Sequence, residues 1–341
     1  MDGYNYFIGL DWAQANMAVA ILSNAHDKPR IFDMPSNIRK LKDMLKALKG
    51  KKLMTLEETT TAQWLYTELK PCVDKLVVCD PRRNSLLKEG SKTDKIDALK
   101  LAILLKNNLL REVYHSNDFF VDLRKLVSAY EDLVNYGVRF KNQRSALCRS
   151  CGQDKGFSEF DGKIEKFIIS IIDQNIANYV DQKQEYEKYF GSLFKKYSLL
   201  RMLKTVPGIG GIGAIKILST VVTANRFADA RHFLSYCGLV KLERISGGRN
   251  YGKKNSHYSS RLKAVFKIAA LAVLAGGTNT VFYPYIKYLK NYKRYADHIV
   301  RHALARRIAV IVYGVLKSKK NFNKELVLKV NTDEHKNLGT E

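Results

Sequence analysis

Lys92-Thr93-Asp94-Lys95-Ile96-Asp97-Ala98 is the stretch on which the reading of this chain turns. If a helix starts near Thr93, its two aspartates stand at i and i+3 and share one face and one end of that helix. Two carboxylates held in this way can grip one divalent cation, provided other parts of the chain bring more oxygens to the same point. Asp11 and Glu57 are the candidates. The plainer reading is a first helical turn that carries acids because the macrodipole favours them. Only the context separates the two.

Upstream, Tyr4 to Leu10 is apolar and aromatic, ends at Asp11, and is followed after a short turn by a second apolar run, Met17 to Leu22. A third run, Arg30 to Met34, lies between Pro29 and Pro35. Ser36 is placed to cap a helix carrying Ile38, Leu41, Met44, Leu45 and Leu48 on one face and closed by Gly50. Lys52 to Leu56 predicts a buried strand ending at Glu57-Glu58, Ala62 to Leu69 a short helix, and Lys75 to Cys79 another strand before Pro81 breaks the chain. The order is three strands, helix, strand, helix, strand, then the helix bearing Asp94 and Asp97. That is the order of a ribonuclease H-like nuclease fold, and four acids fall at its catalytic stations.

From Asn117 the texture changes to long helices. Phe119, Leu123, Leu126, Tyr130, Leu133, Gly137, Phe140, Arg144, Leu147 and Cys151 form a heptad seam. Ile169, Ile172, Ile176, Tyr179, Lys183, Tyr186, Phe190, Leu193, Tyr197 and Leu200 form a second, which makes an antiparallel hairpin or a dimerising coiled coil. Val206-Pro207-Gly208-Ile209-Gly210 then reads as the turn of a helix-hairpin-helix, whose backbone N–H groups meet a phosphate at Gly208 and Gly210. A dinucleotide-binding glycine loop is excluded, because no strand precedes it.

Charge names the class of partner. Lys and Arg number 58 against 33 Asp and Glu, a formal +25, far beyond what solubility requires. Between Lys241 and Arg307 there are fifteen basic residues against two acids, interleaved with tyrosines such as Tyr251, Tyr258 and Tyr288. Basic groups neutralise phosphates and aromatic faces stack on unpaired bases, so Arg244, Arg249, Lys253, Lys254, Arg261 and Lys263 are candidate nucleic-acid contacts. No apolar run approaches a membrane span, and a cytoplasmic protein is expected. Five scattered cysteines do not suit a disulfide framework.

Inside the basic region lies Arg244-Ile245-Ser246-Gly247-Gly248-Arg249-Asn250, a serine with close backbone approach and flanking guanidiniums, read as a loop. With Gly9-Leu10-Asp11, Glu57-Glu58-Thr59-Thr60, the Lys92 to Ala98 motif, Val206 to Gly210, Tyr236-Cys237-Gly238-Leu239-Val240 and Ser246-Gly247-Gly248 in this order, the sequence resembles the DEDD-type insertion-sequence transposases. Relatives of that family include pilin-gene invertases and bridge-RNA-guided recombinases. The resemblance spans roughly residues 5 to 275. Two departures stand out: the family's Glu-Ala-Thr-Gly is Glu57-Glu58-Thr59-Thr60 here, which makes Glu58 a competitor of Glu57, and Trp12-Ala13-Gln14 replaces a small residue and a lysine.

The resemblance implies an α/β plus all-α architecture. Residues 1–116 would be a RuvC-like catalytic domain, 117–200 a coiled-coil domain, 201–320 a mostly helical transposase domain and 321–341 a flexible tail. It implies that Asp11, Glu57, Asp94 and Asp97 bind magnesium, with manganese as a substitute, and that Ser246 is a nucleophile forming a transient phosphoserine link to DNA. It further implies donor and target DNA, a noncoding guide RNA, and a homodimer or homotetramer whose site is built from two subunits. The competing readings are a RuvC-like nuclease using metal-activated water and a non-catalytic architectural protein.

Overall fold

The structure, a computed structural model, describes residues 3–80, 93–115, 119–154, 156, 159–255 and 257–325, without the side chains of 242, 244 and 253–255. Lys92, Pro81 and the end of the tail lie outside the described residues. The chain divides into two compact units, Met1–Asp118 and Phe119–Glu341.

The first unit is built on one mixed sheet. β1 (Tyr6–Trp12), β2 (Asn16–Ser23) and β3 (Arg30–Pro35) form an antiparallel meander, α1 (Ile38–Ala47) leads to β4 (Lys52–Glu57), and α2 (Ala62–Leu69) leads to β5 (Lys75–Cys79). β4 pairs parallel to β1 and β5 parallel to β4, giving the order β3-β2-β1-β4-β5. Strand alternation then divides the residues between two faces. Ile8, Leu10, Met17, Val19, Ile21, Met54 and Leu56 pack with Leu41 and Leu45 of α1 and Leu65 and Leu69 of α2.

The other face carries α3 (Asp94–Lys106). Here the floor is made of very small residues: Ala18 and Ala20 of β2 meet Ala98 and Ala102 of α3. Gly9 sits between them, paired with Ala20. A Cβ at Gly9 would overlap the Ala98 carbonyl oxygen and lie 2.7 Å from the Ala102 amide nitrogen, so the helix rests directly on the strand backbone. Thr93 caps α3, its side chain accepting from the Ile96 amide at 3.4 Å.

One cap differs from expectation. Asn37, not Ser36, caps α1, accepting from the amides of Arg39 and Lys40, because the Ser36 hydroxyl donates to the Ala13 carbonyl at 2.7 Å.

The second unit begins with α4 (Phe119–Ser150) and α5 (Lys163–Lys196). They run antiparallel, since Tyr130 meets Phe190, Gly137 faces Tyr179, Arg144 bonds Asp173, and Cys148 packs with Ile169. Leu123, Tyr130, Gly137 and Arg144 are on the α4 seam as read from the sequence. Leu126 and Leu147 are also partly buried against the core, beside the fully buried Val127 and Cys148, while Cys151 is exposed. α6 (Ser198–Lys204), α7 (Gly211–Val221), α8 (Ala230–Tyr236), α9 (Ser260–Ala275), α10 (Tyr283–Lys287) and α11 (Asp297–Ser318) complete the helices. They share one core with the near ends of α4 and α5, from Leu123 and Phe190 through Phe233 and Phe266 to Leu316.

Between α8 and α9 the chain forms strands where the sequence reads as a loop. β6 (Lys241–Ser246) and β7 (Arg249–Asn255) form a two-stranded antiparallel ribbon. Gly247 and Gly248 turn it with φ of +54° and +73°, the left-handed pair that a tight hairpin turn demands.

α4 is tied to α9 by an ion cluster. Glu131 accepts from Arg261 Nε at 2.8 Å and lies 2.9 Å from Lys216 Nζ. Burial opposes ionisation of Glu131, but the hydrogen bonds and charges of Arg261 and Lys216 outweigh it and hold the carboxyl below the usual glutamate range. Its stabilising contribution is therefore complete above the unfolded glutamate pKa and is lost as pH falls through the lower folded value. Glu131→Ala is expected to lower unfolding stability by about 2 kcal/mol, less than a fully buried pair would cost because this one is partly solvated. Urea midpoints at pH 7 and pH 3 check it, with the difference between variant and parent shrinking at the lower pH.

Candidate nuclease site and nucleic-acid elements

Asp11, Glu57 and the start of α3 converge on one corner of the first unit. Asp11 pairs with Ala18, which pairs with Asp33 of β3. Glu57 stands one residue beyond the last Leu10–Leu56 pairing and is itself paired with Cys79. These five residues form a row across the sheet at the carboxyl ends of β1, β4 and β5. Neighbouring strands are about 4.8 Å apart, so Asp11 and Glu57 are adjacent on the α3 face.

The helix delivers the other two acids. Asp11 is pushed above the ordinary aspartate range, first by burial and then by the charges of Asp94 and Asp97. Asp97 Oδ1 is buried without a hydrogen-bond partner, and its nearest cation, Lys100 Nζ, is 4.0 Å away. A like-charged group whose buried oxygen makes no hydrogen bond is a costly arrangement, and the distant Lys100 only partly offsets it.

These are oxygen donors only, which suits a hard cation such as Mg²⁺. Among the described residues no three acidic, histidine or cysteine side chains stand close enough to hold an ion by themselves. Mg²⁺ is ordinarily held by one or two carboxylates together with substrate phosphates, so an open cluster fits its coordination habits. The donor set and the orphaned oxygen therefore fit a divalent cation.

Glu58 points the other way, as alternation requires. Its Oε2 lies 2.5 Å from His115 Nε2, while His115 Nδ1 is 2.9 Å from Gln63 Oε1 and the ring stacks on Tyr66. Asp33 was not singled out from the sequence. It forms a solvated ion pair with Lys95 at 3.5 Å across the first turn of α3. Its signal was available in the third strand's alternation, since it shares the parity that faces the helix. Cys79 lies beside Glu57, and burial first, then that charge, pushes its thiol up to about 12.

In the second unit, Ser246 is exposed at the last position of β6, directly across from the exposed Arg249. The side chains of Arg244, Lys253 and Lys254 are outside the described residues. Arg261 is committed to Glu131 and to Ser128, whose hydroxyl it reaches at 3.0 Å. Lys263 lies 4.3 Å over the Tyr258 ring. Gly210 is exposed at the N-cap of α7, whereas Gly208 is pressed against α9, where a Cβ would come within 2.5 Å of the Ala269 carbonyl. No described helix is long and apolar enough to cross a membrane.

Comparison with known families agrees with this layout. Residues 8–151, which carry all four acids, match the family model for DEDD transposases of the IS110 type, described as "Transposase". Residues 200–282, which carry the α6–α7 turn and Ser246, match the model described as "Transposase IS116/IS110/IS902 family". No curated protein matches the chain. With both models of one family in sequence order over about two thirds of its length, the chain belongs to the DEDD-type insertion-sequence transposases.

Proposed function

We propose that this transposase breaks and rejoins DNA through the hydroxyl of Ser246, acting with a divalent cation held by Asp11, Glu57, Asp94 and Asp97. The observation that carries the reading is the crowding of Asp11 with Asp94 and Asp97 around a buried Asp97 oxygen that makes no hydrogen bond. Magnesium is the natural occupant and manganese a substitute. Once bound, it would neutralise charge on the phosphate and the leaving oxygen.

The protein's own groups divide the remaining work. Ser246 Oγ forms a bond to phosphorus, the bond from phosphorus to the leaving strand's oxygen breaks, the serine proton is released, and the leaving oxygen takes up a proton. Arg249, across the ribbon, is placed to meet the phosphate charge. Rejoining reverses the step: a strand hydroxyl attacks the phosphoserine and frees Ser246.

The strand order of the first unit supports reading it as an RNase H/RuvC-like catalytic domain. Glu57 is favoured over Glu58 as the fourth acid because it shares the face of Asp11. We also read α4 and α5 as the family's coiled-coil linker and α6–turn–α7 as a helix-hairpin-helix whose exposed Gly210 end faces phosphate. A guide RNA and a homodimer or homotetramer, in which serine and acids come from different subunits, complete the proposal. The excess positive charge of the second unit suits both nucleic acids.

The test is a covalent trap. Incubated with its element's end DNA and Mg²⁺ and then denatured, the full chain is expected to yield a protein–DNA adduct that Ser246→Ala abolishes. Cleavage without an adduct would establish attack by water instead, and intact binding without any strand breakage would leave an architectural role.

A further inference from the structure

α9 and α11 flank a cleft of about 490 Å³ in the second unit, outside every residue placed at the acids or at Ser246. Lys241 comes from β6, Lys267 and Leu271 from α9, and His298, Ile299, Arg301 and His302 from α11. Among the described residues no carboxylate lines it. The nearby Asp297 is held by Lys290 at 2.9 Å. Cations thus converge on a space of ligand size, and uncommonly for a charged patch it also has exposed apolar residues, with Leu271 50% and Ile299 42% exposed.

We infer that this cleft holds an unpaired stretch of nucleic-acid strand, its phosphates taken by Lys241, Lys267 and Arg301 and its bases laid against Leu271 and Ile299. Charge complementarity selects a polyanion. The apolar floor selects a strand whose bases are unstacked, because a duplex hides its base faces and offers only phosphates to such a cleft. The inference rests on the reading of this chain as a nucleic-acid recombinase and adds to it a single-strand site.

His302 gives the site a second signature. His302 is exposed at the cleft, but partial desolvation there, followed by the like charge of Arg306, Lys241, Lys263 and Lys267, holds it below the ordinary histidine range. His298 and Arg301 line the same cleft from its own helix, and Asp297 is the acid nearest in sequence. A phosphate entering the cleft reverses the field and favours the imidazolium. Binding then takes up a proton and tightens as pH falls from about 7 towards 5.

The experiment uses the full chain and labelled strands of about 12 nucleotides, within the span one such site covers: single-stranded RNA, single-stranded DNA of the same sequence, and the DNA duplex. Lys267→Ala/Arg301→Ala is expected to weaken single-strand binding at least about tenfold and to reduce its salt slope by about 1.4, with duplex binding changed less than about twofold. His302→Gln is expected to keep its affinity at pH 7.5 but lose the tightening at low pH. Thermal melts matching the parent confirm folding. An RNA preference would assign the cleft to a guide, and a DNA preference to a displaced substrate strand; either supports it. Unchanged single-strand binding, or equal losses on duplex and single strand, would overturn it. If the parent binds single strands through the cleft but never links to DNA, the recombinase reading fails and the cleft stands. A normal Ser246 link with unchanged binding upholds the recombinase and removes the cleft.

Discussion

Asp97→Asn and Asp94→Asn are each expected to lower DNA strand cleavage by at least about a thousandfold, or about 4 kcal/mol of barrier, while nucleic-acid affinity changes less than about twofold. Asparagine keeps the size of the side chain and one of its oxygens. What it removes is the charge, and charge is what a cation between Asp11, Asp94 and Asp97 would be there to balance. The same substitutions relieve repulsion in the metal-free protein, so its melting temperature is expected to hold or rise. Added Mg²⁺ or Mn²⁺ is expected to raise the melting temperature of the parent and to leave both variants unmoved. Cleavage within tenfold of the parent in either variant would sink the four-acid assignment.

Gly9→Ala is expected to be nearly as damaging, although it touches no acid. The new methyl meets the backbone of α3 at the Ala98 carbonyl and the Ala102 amide, and neither can swing aside as a side-chain end could. The helix must lift from the sheet, at a cost of about 3 kcal/mol, and its first turn carries Asp94 and Asp97 away from Asp11. The expected result is a lower urea midpoint together with lost cleavage and lost metal stabilisation. Gly191→Ala, on α5 with nothing near its added carbon and no positive φ, serves as the control and is expected to be neutral or to stabilise by up to about 1 kcal/mol. Wild-type cleavage in Gly9→Ala would show that the helix–strand joint does not set the site.

The sheet and its acids were legible because their signals are local. Apolar runs of five to eight residues bounded by Pro, Gly and Asn gave each strand, and acids at strand ends gave the row at Asp11 and Glu57. What failed depended on distant partners. Ser36 and Asn37 are both good caps, and only the Ala13 carbonyl, reached across the β1–β2 turn, decides between them. The α4 seam packs from Leu123 to Leu147, with Val127 and Cys148 buried more deeply than their neighbours because the opposing α5 selects which turns furthest inward, and it fails at the exposed Cys151. Charge counting treated Arg261 like its neighbours. The structure commits it to Glu131, some 130 residues earlier in the chain, and leaves Lys267 and Arg301 around an open cleft. The ribbon at Lys241 to Asn255 did carry a signal, Gly247-Gly248 between two β-compatible runs. Its charged residues concealed the alternation.

That ribbon has a consequence for how the protein can change over time. Lys241, Glu243, Ile245, Ser246, Arg249, Asn250 and Tyr251 are all exposed, so they add little burial to the folded state. Substitutions there are nearly free of folding constraint. The opposite holds at Gly9, where the obstacle is main chain and no second-site change of side chain can restore the lost space. The ribbon is thus the more evolvable, and substitutions are expected to accumulate along it well before any is accepted beneath α3.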